Sequence, residues 1–122
     1  MESRHGYSVE KLLREEVAFF VAYVDDVAAA CGGVQLVDGE YAELKRMYVR
    51  PAFRGHGLGK LLVERLTAHA VDHQIGVIRL ETGIHQVEAI GLYTGMGFDR
   101  IPPFGPYSDD PVSLCMEKRL DL

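Results

Sequence analysis

The chain has little of what export, membrane insertion or nucleic-acid binding would require. Met1 to Ser8 are polar and hold no apolar signal core, and the longest apolar run, Val17 to Val24, is far too short to span a bilayer. These absences argue for a cytoplasmic protein with no membrane partner. Positive charge is scarce too: 13 Lys+Arg stand against 18 Asp+Glu, a formal net charge of -5, and the basic residues form no wide patch. A chain of that balance repels phosphate backbones, which argues against a nucleic-acid partner. Cysteine is limited to Cys31 and Cys115, both inside apolar runs and without metal-ligand spacing. They read as buried reduced thiols, with no metal implied. Repeats, low-complexity stretches and linkers are missing, so residues 1–122 read as one domain, and with 48% hydrophobic residues that domain can bury a core.

What is present reads as alternating strand and helix patterns. Ser8 ahead of Val9 to Leu13 predicts a short capped helix. Val17 to Val24 and Val27 to Val37 are apolar runs parted by Asp25-Asp26, the chemistry of a hairpin turn. Asp38-Gly39 supplies a second tight turn, so Tyr41 to Val49 should return antiparallel and complete a meander. The pattern then becomes helical from about Gly57 to His73, with Leu58, Leu61, Leu62, Leu66 and Ala70 assigned to one face and Gly76 near the end. Val77 to Thr82 reads as a strand parallel to the one before the helix, since strand–helix–strand units of this length are crossovers. A second helix over Val87 to Met96 presents Ala89, Ile90, Leu92, Tyr93 and Met96 inward, and strands follow at Phe98 to Ile101 and Val112 to Lys118. The expected fold is α/β (α+β), with a mixed, mostly antiparallel sheet, one parallel β-α-β crossover and flanking helices.

The chemistry concentrates in Arg50-Pro51-Ala52-Phe53-Arg54-Gly55-His56-Gly57-Leu58-Gly59-Lys60, where a strand end passes through a glycine-rich turn into a helix. Gly55, Gly57 and Gly59 let the backbone wrap a phosphate, while the unpaired N–H groups and positive end of the helix dipole face it. Arg54 can add a bidentate contact. This is not a P-loop, because Gly59-Lys60 is followed by Leu61, nor a dinucleotide fingerprint, because the glycine spacing differs and an antiparallel meander precedes it.

The stretch resembles the pyrophosphate loop of the GNAT acetyltransferase superfamily, Arg/Gln-x-x-Gly-x-Gly/Ala, matched by Arg54, Gly57 and Gly59. Leu44 to Val49 with Arg50-Pro51 looks like that family's fourth strand. Gln86-x-x-Ala89-Ile90-x-Leu92-Tyr93-x-x-x-Gly97-Phe98 looks like its Asn-x-x-Ala-x-x-Leu-Tyr-x-x-x-Gly-Phe signature, with Gln86 in place of Asn. The resemblance covers about Ser8 to Lys118 and implies an enzyme that moves an acetyl group from acetyl-CoA directly to a primary amine. It places Arg54, Gly55, His56, Gly57, Leu58, Gly59 and Lys60 around the CoA pyrophosphate, Met47 and Val49 along the pantetheine arm, and Gln86 at a cofactor contact. His56 contributes a backbone amide.

An alkyl amine is almost wholly protonated at pH 7, and its deprotonation costs about 4.6 kcal/mol, so the site needs a base or a water relay. Glu43 and Glu81 lie near the strands that splay in the family, and Glu81 is the chosen base. The resemblance makes Tyr93 the acid that protonates the departing thiolate. Two other functions compete with this one: an acyl-CoA-binding regulatory module without turnover, and a peptide N-acetyltransferase. The family's first strand and helix have no counterpart here, so the domain reads as N-terminally short. The edge of Val17 to Val24 is then expected to be covered, by a second copy in a homodimer or by a native N-terminal extension absent from this chain.

Overall fold

In the computed structural model, which describes residues 17–122, six strands form one sheet in the order β1-β2-β3-β4-β6-β5. The strands are β1 (Val17–Val24), β2 (Val27–Val37), β3 (Tyr41–Val49), β4 (Val77–Gly83), β5 (Asp99–Ile101) and β6 (Ser113–Arg119). Helix α1 (Leu58–Asp72) joins β3 to β4 and helix α2 (Val87–Gly95) follows β4. All neighbours pair antiparallel except β3 and β4, which run parallel. The expected mixed sheet with a single parallel crossover is the one observed. The short helix expected at Ser8 to Leu13 lies outside the described residues.

Both meander turns form as their residues dictate. Asp25 and Asp26 take φ of 50° and 67° in a two-residue hairpin between Val24 and Val27, and Asp38 and Gly39 take 55° and 70° in a three-residue connection between Val37 and Tyr41, closed by Glu40 N–H donating to Val37 O at 2.9 Å. Aspartate tolerates that region because its short side chain bonds locally.

The core lies between α1 and the sheet: Val63, Leu66 and Ala70 of α1 meet Val34, Ala42, Leu44, Ile78 and Leu80. At the sheet's margin Phe20 of β1 takes His69 edge-on at 6.0 Å and carries the Arg65 guanidinium 4.8 Å above its ring. Two details of α1 correct the sequence reading. Leu61 is 56% exposed instead of inward-facing. At about 100° per residue it sits about 140° around the helix from Leu66, and Val63 takes its place in the buried stripe. The helix ends at Asp72, close to the expected His73, but the left-handed residue after it is Gln74 and not Gly76: Gln74 adopts φ 61°, its N–H donates to Val71 O, and Ile75 N–H donates to Ala70 O at 3.0 Å. That is a Schellman cap with glutamine in the glycine position, secured by burial of Ile75.

Candidate functional site

β3 and β4 share only the pairs Ala42↔Ile78 and Glu43↔Arg79 and then part. The parting has a cause on either flank. β4 continues along β6 through seven consecutive pairs to Gly83↔Ser113, whereas β3 continues along β2 to Val49↔Ala30. Each strand follows its antiparallel partner. From Leu44 onward the β4-facing edge of β3 therefore pairs with no strand among the described residues, and its backbone amides and carbonyls border a cleft.

Within the cleft is a cavity of about 420 Å³, walled by Met47, Tyr48 and Val49 on one side, by the loop and first turn of α1 at one end, and by Gln86, Ala89, Leu92 and Tyr93 of the α2 region opposite. Gly55 and Gly57 hold φ of 84° and 82°, which a side chain would strain, and they turn the chain into α1. Gly57 caps the helix without a side-chain acceptor, and the first turn contains no acidic residue. The N–H groups of Leu58, Gly59 and Lys60 precede the first i→i−4 bond, Leu61 N–H to Gly57 O at 3.0 Å, so they remain for an anion. Gly59 is glycine for another reason: a Cβ there would stand 3.2 Å from Leu92 Cδ2, where α2 passes α1. Arg54 is anchored by Nε donating to Val49 O at 2.9 Å, and its guanidinium lies 5.6 Å from the Tyr48 ring centre. Four guanidinium N–H donors remain on its terminal nitrogens.

Ten of the expected site residues line this cavity: Met47, Val49, Arg54, Gly55, Gly57, Leu58, Gly59, Lys60, Gln86 and Tyr93. His56 does not, and its side chain is exposed. Tyr93 is 6% exposed, packs edge-on against Phe98 at 5.6 Å, and burial pushes its phenol up to about 12.

Glu81 lines a second cavity, of about 820 Å³, on the far side of Met47. Ser113 Oγ donates to Glu81 Oε2 at 2.7 Å. Met47, Tyr48 and Gln86 border both cavities. Glu43, the other carboxylate considered, is 5% exposed at the last parallel pair. Its Oε2 accepts from Tyr107 Oη at 2.6 Å and lies 3.8 Å from Lys45 Nζ. Both cysteines are free thiols; Cys115 is buried, and burial chiefly raises its pKa, but Cys31 is only half-buried on the second cavity's wall.

Sequence reasoning missed Tyr48, Phe53 and Glu88 in the first cavity, and Arg46, Lys45 and Tyr107 in the second. Tyr48 was within reach, since it stands between two residues already placed on the strand edge. Tyr107 gave no local signal: 64 positions separate it from Glu43. Among the described residues there is no group of three metal-ligating side chains and no helix long and apolar enough to cross a membrane.

Comparison with known proteins agrees with this geometry. The model of the acetyltransferase (GNAT) family matches residues 2–98. An IAA acetyltransferase of Azospirillum brasilense is 39% identical over 120 residues, covering 98% of this chain and 78% of its own length. YsnE of Bacillus subtilis, an uncharacterised N-acetyltransferase, is 32% identical over 121 residues, covering 98% of this chain and 80% of its own. The crystal structure of a protein assigned as an acyl-CoA N-acyltransferase from Klebsiella pneumoniae is similar at TM-score 0.86 and 38% identity, over 93% of this chain and 79% of that one. A GNAT acetyltransferase from Elizabethkingia anophelis, solved with acetyl-CoA bound, shares the fold at TM-score 0.78 and 18% identity over 93% and 84% of the two chains. On matched length, sequence identity and fold together, this chain belongs to the acetyltransferase (GNAT) family and is an acyltransferase.

Proposed function

We propose that the protein is a cytoplasmic N-acetyltransferase that passes the acetyl group of acetyl-CoA directly to a primary amine. The observation that carries this reading is the pair of cavities that share Met47, Tyr48 and Gln86 in their walls, one lined from the α1 N-terminus to Tyr93 and the other bordered by Glu81. Acetyl-CoA supplies an activated thioester with a phosphate-bearing handle. Arg54 and the amides of the α1 first turn take the pyrophosphate, and the open edge of β3 at Met47 and Val49 hydrogen-bonds the amide-containing arm as an added strand would. Glu81, fixed by Ser113, draws the proton from the ammonium of the acceptor, and Tyr93 returns a proton to the thiolate. A thiol-release assay with acetyl-CoA across amines, polyamines, amino acids and peptides tests this reading. CoA binding with no thiol release for any acceptor would leave a regulatory binding module.

Arg54→Ala is expected to weaken CoA binding about ten- to a hundredfold, the effect of losing one charge-assisted contact. Calorimetry with CoA reads the change directly, and unchanged affinity would remove Arg54 from the site.

We propose in addition that the protein is a homodimer built along β1, which among the described residues ends the sheet and leaves Phe19, Val21 and Tyr23 between 43% and 65% exposed. An uncharged, apolar edge strand of this kind is a template for pairing with another chain. Light scattering over a dilution series should show a dimer, and Val21→Lys should shift it to monomer. A monomer at every concentration would overturn the pairing.

A further inference from the structure

The wall of the second cavity includes one residue of β1, Phe19. Phe19, Gly33 and Lys45 pair in line across β1, β2 and β3, so they share one face of the sheet. At Gly33 that face carries no side chain, and the Phe19 ring lies over the gap: a Cβ on Gly33 would stand 2.9 Å from Phe19 Cε1 and 3.2 Å from Cδ1. A side chain at position 33 would displace the ring. The glycine thus lets a residue of β1 come across β2 and border a cavity whose other walls include β3 and Glu81 of β4.

The cations of the wall are already engaged. Lys45 Nζ lies 3.8 Å from Glu43 Oε2, the oxygen that also accepts from the Tyr107 hydroxyl, and Arg46 is not free either. Neither is left over to select an anionic group on a substrate. Glu81 is the one carboxylate bordering the cavity, and most of the remaining wall is apolar or aromatic, from Phe19, Leu44, Met47, Tyr48 and Tyr107. A cavity of about 820 Å³ has room for far more than an amine nitrogen. Pockets of such size hold their ligands chiefly by apolar and aromatic lining, with a few polar groups fixing the orientation.

Building on the amine-transfer reading, we infer that Phe19 is a specificity-determining residue of the acceptor site and that the acceptor is a primary amine bearing a flat apolar body, its nitrogen at Glu81 and its body against the Phe19 ring. Removal of that body from water supplies the binding, and an offset or edge-on contact with the ring adds to it where the body is aromatic. The chemistry of transfer stays with Glu81 and Tyr93, so Phe19 grades acceptors by their bodies and leaves the reacting atoms alone. Pairing of a second copy along β1 is compatible with this role. The edge offers backbone groups in the plane of the sheet, whereas the Phe19 ring stands on its face.

The test is thiol release from acetyl-CoA with methylamine, which has no body, against 2-phenylethylamine, 3-phenylpropylamine and 4-phenylbutylamine, which carry one ring at increasing reach. The wild-type protein is expected to prefer at least one phenyl amine over methylamine by about a hundredfold or more in kcat/KM. Phe19→Ala should lower that ratio about tenfold with KM for acetyl-CoA unchanged, and Phe19→Leu, which restores apolar bulk, should regain part of it. Val21→Ala is the control, since Val21 shares the strand and the face of Phe19 but does not border the cavity, and it should leave the ratio as in the wild type. Circular dichroism reports the fold of each variant, and the wild-type series is decisive without them. An unchanged ratio in Phe19→Ala, or an equal loss in Val21→Ala, would overturn the inference and reduce Phe19 to packing. Phenyl amines turned over no better than methylamine would also overturn it and leave the transferase reading standing. CoA binding without thiol release for any amine would overturn the transferase reading and the inference with it.

Discussion

Tyr93→Phe is expected to lower turnover by about 10² to 10⁴ while CoA still binds, because a positioned general acid contributes about that much to a proton transfer. The ring would keep its place. It is buried against Phe98 and belongs to the core, so removal of the hydroxyl deletes the proton without opening a void. Burial also makes the phenol a durable acid: its pKa, raised to about 12, keeps it protonated through pH 10, where an ordinary tyrosine is half ionised. The folded state retains that proton more tightly than the unfolded one. The associated stability is thus fully present below pH 10 and is lost as pH rises toward 12. An alkaline fall in rate below pH 10 must therefore come from another group. Stopped-flow measurement of thiol release against calorimetric CoA affinity checks the split, and a Phe variant of undiminished rate would reduce Tyr93 to a packing residue.

Leu66→Ala is expected to cost about 2 to 5 kcal/mol, the range for emptying a fully buried leucine site. Leu66 is 0% exposed, and its Cδ1 would be 3.1 Å from a Cβ on Gly32, so it packs directly against β2. For a domain of this size the midpoint temperature should fall by about 8 to 20 °C. Leu61→Ala is the matched comparison. It removes the same atoms from the same helix, but at a position 56% exposed, and should cost about 0.5 kcal/mol or less. Thermal melts of the two variants read the rotational setting of α1 directly, and equal losses would show that setting to be wrong.

Much of this molecule is local and therefore legible in the chain. The aspartates and glycine at 25–26 and 38–39 specify hairpin turns by the φ values they tolerate, and the three strands they connect lie where alternation and β-branching placed them. The glycine-rich loop was readable for the same reason, because Gly55 and Gly57 declare left-handed backbone ahead of a helix and Arg54 declares an anion. Spacing could not say that Gln74, and not Gly76, would take the left-handed position after α1.

By itself, then, the sequence determined the order and kind of the elements, the left-handed turns, the glycine-rich loop and the family to which its motifs belong. Only the tertiary structure decided where β3 leaves β4, because strand order across a sheet is set by pairing between segments far apart in the chain, and β6 had to settle between β4 and β5 for β4 to be drawn away. The same lateral arrangement brought Tyr107 to Glu43 and set Arg46 and Glu81 on the wall of one cavity. Residue spacing sets which face a side chain takes, whereas the cleft depends on a parting of strands, which arises from the competition among neighbouring strands for the same hydrogen bonds.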